Sequence, residues 1–134
     1  MQQFKEAIKS HGLRFSKTKE HILQVLLAND HPVSGKDIID SCCTKIHKSN
    51  VYRSLDQLVA VNMIKQVFIG PKISYELSEM YKPHHHHATC ESCGTLTSIN
   101  DSTLEKMLDR ATVAAGLKPT KHSFELYGLC KDCQ

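Results

Sequence analysis

This chain of 134 residues lacks tryptophan and has no long hydrophobic run. No apolar stretch approaches the ~18 residues that a membrane-spanning helix needs, and no hydrophobic segment typical of a secretory signal opens the sequence. We therefore expect a cytoplasmic protein without a membrane partner. Because the cytosol keeps thiols reduced, the cysteines are interpreted as metal ligands, and a disulfide framework is the alternative.

The chain also lacks a His-Glu-x-x-His run, which places two ligands and a general base of many zinc hydrolases on one helix. A zinc-dependent hydrolase needs an open zinc position, a water and a nearby base. Glu76 or Glu105 could supply only the base, and the chain is short for a substrate cleft. It is therefore not expected to be an enzyme, and a hydrolase or a zinc-storage protein is the alternative from another class.

Two Cys-x-x-Cys motifs are the strongest chemical signal in the sequence. Cys90 and Cys93 form the first, and Cys130 and Cys133 form the second. Such pairs, separated by a domain-sized stretch, are typical of a tetrahedral Cys₄ zinc site. Four thiolates leave zinc no open position, so the predicted site is structural. Structural zinc supplies on the order of 10 kcal/mol of folding free energy in small peptides.

Consecutive histidines, His84, His85, His86 and His87, stand directly before the first cysteine pair. In an extended chain successive side chains alternate faces, so His84 and His86 point one way and the other two point the opposite way. One tetrad can thus serve two metal sites, although a solvated linker or a fortuitous chelating run is the alternative. Ligands surplus to a closed zinc site favour an exchangeable metal and hence a metal sensor.

The N-terminal half predicts short helices followed by a hairpin. Residues 1–80 hold 11 Lys and Arg against 8 Asp and Glu, a mildly basic balance that fits nucleic acid without demanding it. The predicted elements are helices over residues 4–11, after Ser16, after Ser34 and after Ser49 or Asn50, then strands over 64–68 and 73–77 around a Gly70-Pro71 turn. This order is typical of a winged helix-turn-helix. A helical core with a hairpin lid and no DNA role is the alternative.

The fourth predicted helix carries hydrogen-bond donors on the face opposite its apolar stripe. They are Lys48, Ser49, Asn50, Tyr52 and Arg53. Donors near the N-terminus of such a helix suit phosphates and base edges. In the third helix, Cys42 and Cys43 are expected to pack as small apolar residues.

The C-terminal half predicts an α/β arrangement. Strand-forming residues occupy 86–99 and 123–127, and a helix that starts at Asp101 or Ser102 ends at Gly116. The overall class is therefore α+β.

Segments 12–16, 49–55, 84–94 and 127–133 occur in an order that resembles the ferric uptake regulator family of bacterial metalloregulators. The resemblance implies a winged-helix DNA-binding domain over residues 1–80 and an α/β dimerisation and metal-binding domain over 81–134. It further implies a homodimer that represses metal-homeostasis genes when metal is bound. A dimer predicts a double-stranded operator with inverted half-sites about one helical turn apart, ~34 Å.

The resemblance implies two regulatory metal sites. The ligands in the dimerisation domain would be His84, His86, Glu105 and His122, and those of an inter-domain sensing site would be Glu76, His85, His87 and His31. Ser98 stands where many relatives have a carboxylate, and Pro32 stands nearest to their N-terminal histidine. Glu79 is an alternative to Glu76. An inter-domain site is the better candidate for the switch, because its ligands can fix the angle between domains.

DNA contacts carry over from the family with small departures. Tyr52 and Arg53 match its Tyr-Arg pair, and Asn50 replaces the usual Thr. The expected phosphate contacts are Arg14, Lys17, Lys19 and Lys48. Because Lys19 replaces a common Arg, it keeps the charge but loses bidentate geometry.

Ligand type favours a zinc-responsive regulator over an iron-responsive one. Imidazole-rich sites suit Zn²⁺, whereas Fe²⁺ and Mn²⁺ prefer more oxygen ligands. His86 stands where many relatives have Asp, and Ser98 lowers the oxygen count further. The iron regulator is the alternative, and a peroxide sensor would need Fe²⁺ in a site with an Asp that has no match here.

We expect Arg53→Ala to lower operator affinity and to leave metal content unchanged, because Arg53 is predicted to contact DNA and not metal. Titration of a labelled operator, paired with metal analysis, measures both quantities. Loss of metal in this variant would instead indicate a structural role for the helix.

Overall fold

The computed structural model describes residues 1–42, 46–69, 71–120, 122 and 124–134. The chain forms two compact units, Met1–Pro83 and His84–Gln134. The division falls directly before the histidine tetrad, close to the boundary predicted at residues 80 and 81. Both units combine helices with a sheet, so the α+β class is confirmed. Within the described ranges, each helix falls short of the length and hydrophobicity that crossing a bilayer requires.

The N-terminal unit packs helices against a small antiparallel sheet. Its elements are α1 (Gln2–Ser10), α2 (Lys17–Ala28), β1 (Val33–Ser34), α3 (Gly35–Asp40), α4 (Lys48–Ala60), β2 (Ile64–Ile69) and β3 (Lys72–Leu77). Strand β3 lies between β1 and β2 and is antiparallel to both. The predicted hairpin is present, and the Gly70 of its predicted turn lies outside the described residues.

Serine side chains begin two of the helices as predicted. The Ser16 hydroxyl accepts a hydrogen bond from the Lys19 N–H (3.2 Å), and the Ser34 hydroxyl accepts one from the Asp37 N–H (3.1 Å). Each bond satisfies a backbone donor that lacks a partner within the first turn.

The cap predicted for α4 is wrong. This helix begins at Lys48 with His47 as its N-cap, and Ser49 lies within the first turn rather than before it. The His47 carbonyl already accepts hydrogen bonds from the N–H groups of Asn50 (2.9 Å) and Val51 (3.3 Å). The helix therefore starts earlier than the hydroxyl and amide side chains suggested.

Helix α3 is also shorter than predicted. Ser41 ends it, with its N–H bonded to the Asp37 carbonyl and its hydroxyl donating to the Ile38 carbonyl (2.8 Å). Cys42 thus lies beyond the helix and is half-buried, whereas Cys43 lies outside the described residues. The prediction that Cys42 packs within α3 is therefore wrong.

The apolar stripes of the helices meet on one face of the sheet. The fully buried side chains are Ile8, Ile22, Leu23, Ile38, Val51, Leu55, Leu58, Met63 and Ile64. Ile64 pairs directly with the buried Leu77 across the hairpin, so the wing strands close the core. Burial of each such side chain contributes roughly 1.5–3 kcal/mol.

The C-terminal unit is a smaller sheet with one helix beside it in the described chain. Its elements are β4 (His86–Cys90), β5 (Leu96–Ile99), α5 (Ser102–Ala114) and β6 (Glu125–Gly128). Strand β4 lies in the middle, antiparallel to β5 and parallel to β6. The Asp101 carboxylate caps α5 by accepting from the Thr103 N–H (2.7 Å). Ser123, predicted in the last strand, lies outside the described residues.

Helix α5 differs from the other long helices because none of its residues is buried. Met107 and Val113 are 62% and 61% exposed, and Leu117 beyond the helix is 65% exposed. In the described chain, the buried hydrophobic side chains belong to the N-terminal unit except for Cys90. The C-terminal unit therefore depends on something other than its own apolar core.

We expect Leu55→Ala to lower the free energy of unfolding by about 2–5 kcal/mol, because it leaves a cavity among fully buried side chains. Urea unfolding followed by circular dichroism measures this loss. Leu27→Ala, which truncates a half-exposed leucine of α2, is the matched control. Equal losses in the two variants would contradict the assigned core.

Candidate metal centres and DNA-facing helix

Strand β4 sets the positions of the predicted metal ligands. It begins at His86 and ends at Cys90, with both edges paired to neighbouring strands. The rings of His84 and His86 contact each other (centroids 4.8 Å apart), as do those of His85 and His87 (4.8 Å). The tetrad therefore divides into the two alternating pairs that an extended chain predicts.

The cysteine pairs meet at one end of the C-terminal sheet. Cys90 ends β4 and Cys130 follows β6, so the parallel pairing of these strands joins two distant parts of the chain. The sulfur atoms of Cys90, Cys93, Cys130 and Cys133 all lie within 4.8 Å of one another. This is the grouping that the two Cys-x-x-Cys motifs predict.

The spacing of the sulfurs fits a bound metal and not a disulfide. Cys93 Sγ and Cys130 Sγ are 3.7 Å apart. A tetrahedron with ~2.3 Å metal–sulfur bonds has edges of about 3.8 Å, whereas a disulfide bond is about 2.05 Å long. None of these cysteines forms a disulfide. The disulfide alternative therefore does not apply to these four cysteines.

Hydrogen bonds divide the thiols into easily and poorly ionised groups. The Cys130 N–H donates to Cys90 Sγ (3.3 Å), and backbone donors, Cys130 first and then Cys93, lower the pKa of Cys90 to about 6. The Thr95 side chain, followed by the Thr95 backbone, lowers the pKa of Cys93. For Cys133, a Ser92 hydrogen bond favours the thiolate, but the Cys130 and Cys93 sulfurs outweigh it and raise the pKa to about 11. Full ionisation of this cluster therefore calls for a cation among the sulfurs.

The second cluster consists of histidine nitrogens around one carboxylate. Its residues are His84, His86, Glu105 and His122, whose ligating atoms lie within 4.8 Å of one another. His84 Nε2 lies 3.1 Å from His122 Nε2 and 3.4 Å from Glu105 Oε1, and His122 Nε2 lies 3.3 Å from Glu105 Oε2. Tetrahedral bonds of ~2.0–2.1 Å give edges of about 3.3–3.4 Å. The donor set thus has the size and chemistry of a divalent metal site.

Three elements of the C-terminal unit bring this cluster together. His86 is the first residue of β4, Glu105 lies in the first turn of α5, and His122 precedes β6. His86 is buried, donates a hydrogen bond to the Glu105 carboxylate, and contacts the Phe124 ring edge-on (centroids 5.4 Å apart). Packing on Phe124 therefore fixes one imidazole before any metal binds.

Glu105 is held in its ionised form. Burial alone would raise the pKa of this carboxyl, but the hydrogen bond from His86 and the charges of His84 and His122 outweigh burial and lower it. A carboxylate that stays ionised remains available as a metal ligand at neutral pH.

The residues predicted for the second regulatory site lie in both units. Glu76 is on β3 in the N-terminal unit, where it is 3% exposed. His31, in the same unit, is exposed, and its Nδ1 lies 3.3 Å from the Pro32 carbonyl. Ser98 lies directly opposite His87 in the β4–β5 pair of the C-terminal unit. The joint use of Glu76, His31, His85 and His87 as ligands stays a prediction.

The ion pair between Lys65 and Glu76 was not predicted from the sequence. Lys65 lies opposite Glu76 in the β2–β3 ladder, with Nζ 3.1 Å from Glu76 Oε1. The pairing could have been predicted, because Lys65 and Glu76 each lie five residues from the predicted Gly70-Pro71 turn, Lys65 before Gly70 and Glu76 after Pro71.

Helix α4 presents the predicted DNA-contacting side chains to solvent. Val51, Ser54, Leu55 and Leu58 face the core, and Lys48, Ser49, Asn50, Tyr52 and Arg53 are exposed. Arg14, which precedes α2, and Lys17, its first residue, are exposed as well.

Lys19 does not share this exposure. It is only 6% exposed on α2, and burial lowers the pKa of its ammonium group. Of the expected phosphate contacts, Lys19 is therefore the one whose placement argues against the prediction.

The sequence matches the ferric uptake regulator family over residues 10–127, and the chain belongs to this family. Its members are metal-responsive transcription regulators and not enzymes. The ferric uptake regulation protein of Campylobacter jejuni is 27% identical, covering 99% of this chain and 87% of that protein. That of Escherichia coli K12 is 31% identical, covering 96% and 90%.

A solved structure has the same fold. The Helicobacter pylori ferric uptake regulator, described as having three functional metal binding sites, superposes with a TM-score of 0.84 at 26% identity. The match covers 98% of this chain and 89% of that one. These relatives do not separate a zinc-responsive from an iron-responsive branch, so the zinc preference stays a prediction. They lend no support to a hydrolase or a storage protein.

We expect Cys130→Ser to lose bound zinc and to lower hydrogen-exchange protection in β4 and β6, because Cys130 belongs to the cluster that joins these strands. Mass spectrometry under native conditions and hydrogen exchange measure the two effects. Cys42→Ser, a thiol outside the cluster, is the control and should retain the zinc. Full zinc content in Cys130→Ser would contradict the assignment.

Proposed function

We propose that this chain is a metal-dependent transcriptional repressor of metal-homeostasis genes that responds to zinc. It acts as a homodimer on an inverted-repeat operator, with a structural zinc held by Cys90, Cys93, Cys130 and Cys133. The observation that carries this proposal is the cluster of His84, His86, Glu105 and His122 beside a separate four-cysteine cluster. A closed thiolate site and an exchangeable imidazole site have different chemistry, so one can stabilise the fold while the other responds to metal.

Zinc is favoured because three of the four donors in the histidine cluster are imidazole nitrogens and one is a carboxylate. Zn²⁺ accepts such a tetrahedral set, whereas Fe²⁺ prefers more oxygen donors and a higher coordination number. Iron is the second candidate, and a specific observation supports it: the relatives from C. jejuni and E. coli are named ferric uptake regulation proteins.

The DNA interface is proposed to be the exposed face of α4. Its donors near the helix N-terminus, above all Tyr52 and Arg53, suit base edges, while Lys48, Arg14 and Lys17 suit phosphates. These side chains are exposed, and the opposite face of α4 is anchored in the core by fully buried leucines. Because one face of α4 is anchored in the core, the exposed face has a fixed orientation relative to the N-terminal unit.

Dimerisation is supported by the apolar surface of the C-terminal unit. Met107, Val113, Leu117 and Leu129 are at least half exposed, and α5 has no buried residue. Apolar surface of this extent favours a protein partner. A second copy of the chain would present two α4 helices, which is the arrangement an inverted repeat requires.

Regulation is proposed to use the second predicted set, Glu76, His85, His87 and His31, in addition to the histidine–glutamate cluster. Glu76 belongs to the N-terminal unit, whereas His85 and His87 belong to the C-terminal unit. A metal that binds ligands from both units would favour one arrangement of the two α4 helices over others.

The decisive experiment is an operator-binding titration with protein that retains its structural zinc and lacks exchangeable metal. The probe is the DNA upstream of the chain's own gene, titrated with chelator-buffered Zn²⁺ and, separately, with Fe²⁺ under anaerobic conditions. We expect buffered Zn²⁺ to switch on binding and Fe²⁺ to leave it off. Glu105→Gln should weaken the zinc response and Asp109→Asn, on the same helix, should not.

Activation by Fe²⁺ alone would transfer the proposal to iron and overturn the ligand-type argument. Because Zn²⁺ binds many nitrogen and sulfur sites tightly, occupancy without a change in DNA affinity does not count as support. Binding that is equal with and without either metal would overturn metal-dependent repression altogether.

A further inference from the structure

Lys65 forms an ion pair with Glu76, the carboxylate that is proposed to bind the regulatory metal. Its ammonium lies 3.1 Å from Glu76 Oε1 and 3.6 Å from Glu79 Oε1. Glu76 is 3% exposed, whereas Glu79 is 56% exposed. One lysine therefore contacts one buried and one solvated carboxylate within the N-terminal unit.

The backbone enforces the buried contact. Lys65 and Glu76 are directly opposite each other in the antiparallel β2–β3 ladder, and opposite residues on one face of such a pair have neighbouring Cβ atoms. Burial strengthens the attraction and makes an uncompensated Glu76 carboxylate costly. The Lys65 ammonium thus places a positive charge directly beside the buried Glu76 carboxylate.

We infer that the Lys65 ammonium competes with the regulatory metal for the Glu76 carboxylate and thereby lowers the affinity for that metal. A divalent ion bound to Glu76 must displace the ammonium or lie close to a like charge, and both raise the cost of metal binding. Glu79 lowers this cost, because Lys65 already lies near its carboxylate and can pair with it after leaving Glu76. The inference rests on the proposed role of Glu76 as a metal ligand.

Competition by Lys65 predicts that substitutions of Lys65 and Glu79 have opposite effects on metal affinity. Lys65→Met removes the competing positive charge from beside Glu76, so metal should bind on the order of tenfold tighter or more. Glu79→Gln removes the second partner of Lys65, so metal should bind more weakly. In a Lys65→Met background, the effect of Glu79→Gln should shrink because the lysine is gone.

The experiment is a titration with buffered Zn²⁺ against a competing chelator, using full-length protein that retains its structural zinc. All variants carry His122→Ala, which disables the histidine–glutamate cluster and leaves one exchangeable site to measure. Lys65→Arg keeps the charge and should bind like the parent. Lys72→Met removes a lysine from the exposed end of the same hairpin and should have no effect.

Three outcomes decide the matter. Tighter binding by Lys65→Met together with weaker binding by Glu79→Gln supports the competition by Lys65. If Lys65→Met binds zinc with the parental affinity and Glu76→Gln abolishes zinc binding, the competition by Lys65 is overturned and Glu76 remains a ligand. Retention of the ion by Glu76→Gln overturns the proposed ligand set together with the inference. If Lys65→Met fails to fold, Lys65→Gln takes its place: tighter metal binding supports the competition and parent-like affinity overturns it.

Discussion

The pairing of β4 with strands on both edges is the constraint on which the C-terminal unit depends. A strand hydrogen-bonded on both sides cannot rotate, so the alternation of its side chains becomes a fixed division of ligands. His86 is directed to the histidine–glutamate cluster, His87 faces the other way beside Ser98, and Cys90 ends at the sulfur cluster. A slip of one residue in register would exchange the faces and dismantle all of these groupings together.

The parallel β4–β6 pair adds the second half of this constraint. Parallel strands need a crossover connection, and the segment containing α5 supplies it. The same crossover carries Glu105 and His122, so the connection that allows the pairing also delivers two ligands. Sheet topology, the sulfur cluster and the histidine–glutamate cluster are thus consequences of one chain path.

Much of the fold and the metal chemistry could be predicted because it is local. The serine caps of α2 and α3, the hairpin and the alternating histidines follow from residues near one another in sequence. The Cys-x-x-Cys spacing likewise predicts that both thiols of each motif bind one metal ion. The α4 cap was mispredicted because a backbone carbonyl, His47, replaced the expected side chain. Burial of Lys19 and the Lys65–Glu76 pair needed tertiary packing and strand register, which composition and periodicity do not supply.

In the proposed homodimer, the exposed face of α5 would make the stability of the C-terminal unit depend on protein concentration. The N-terminal unit encloses its own apolar core, so its stability is a property of a single chain. The C-terminal unit leaves Met107 and Val113 in water, and whatever covers them stabilises it by mass action. If a second copy covers these side chains as proposed, dilution leaves the stability of the N-terminal unit unchanged and lowers that of the C-terminal unit, which carries both clusters.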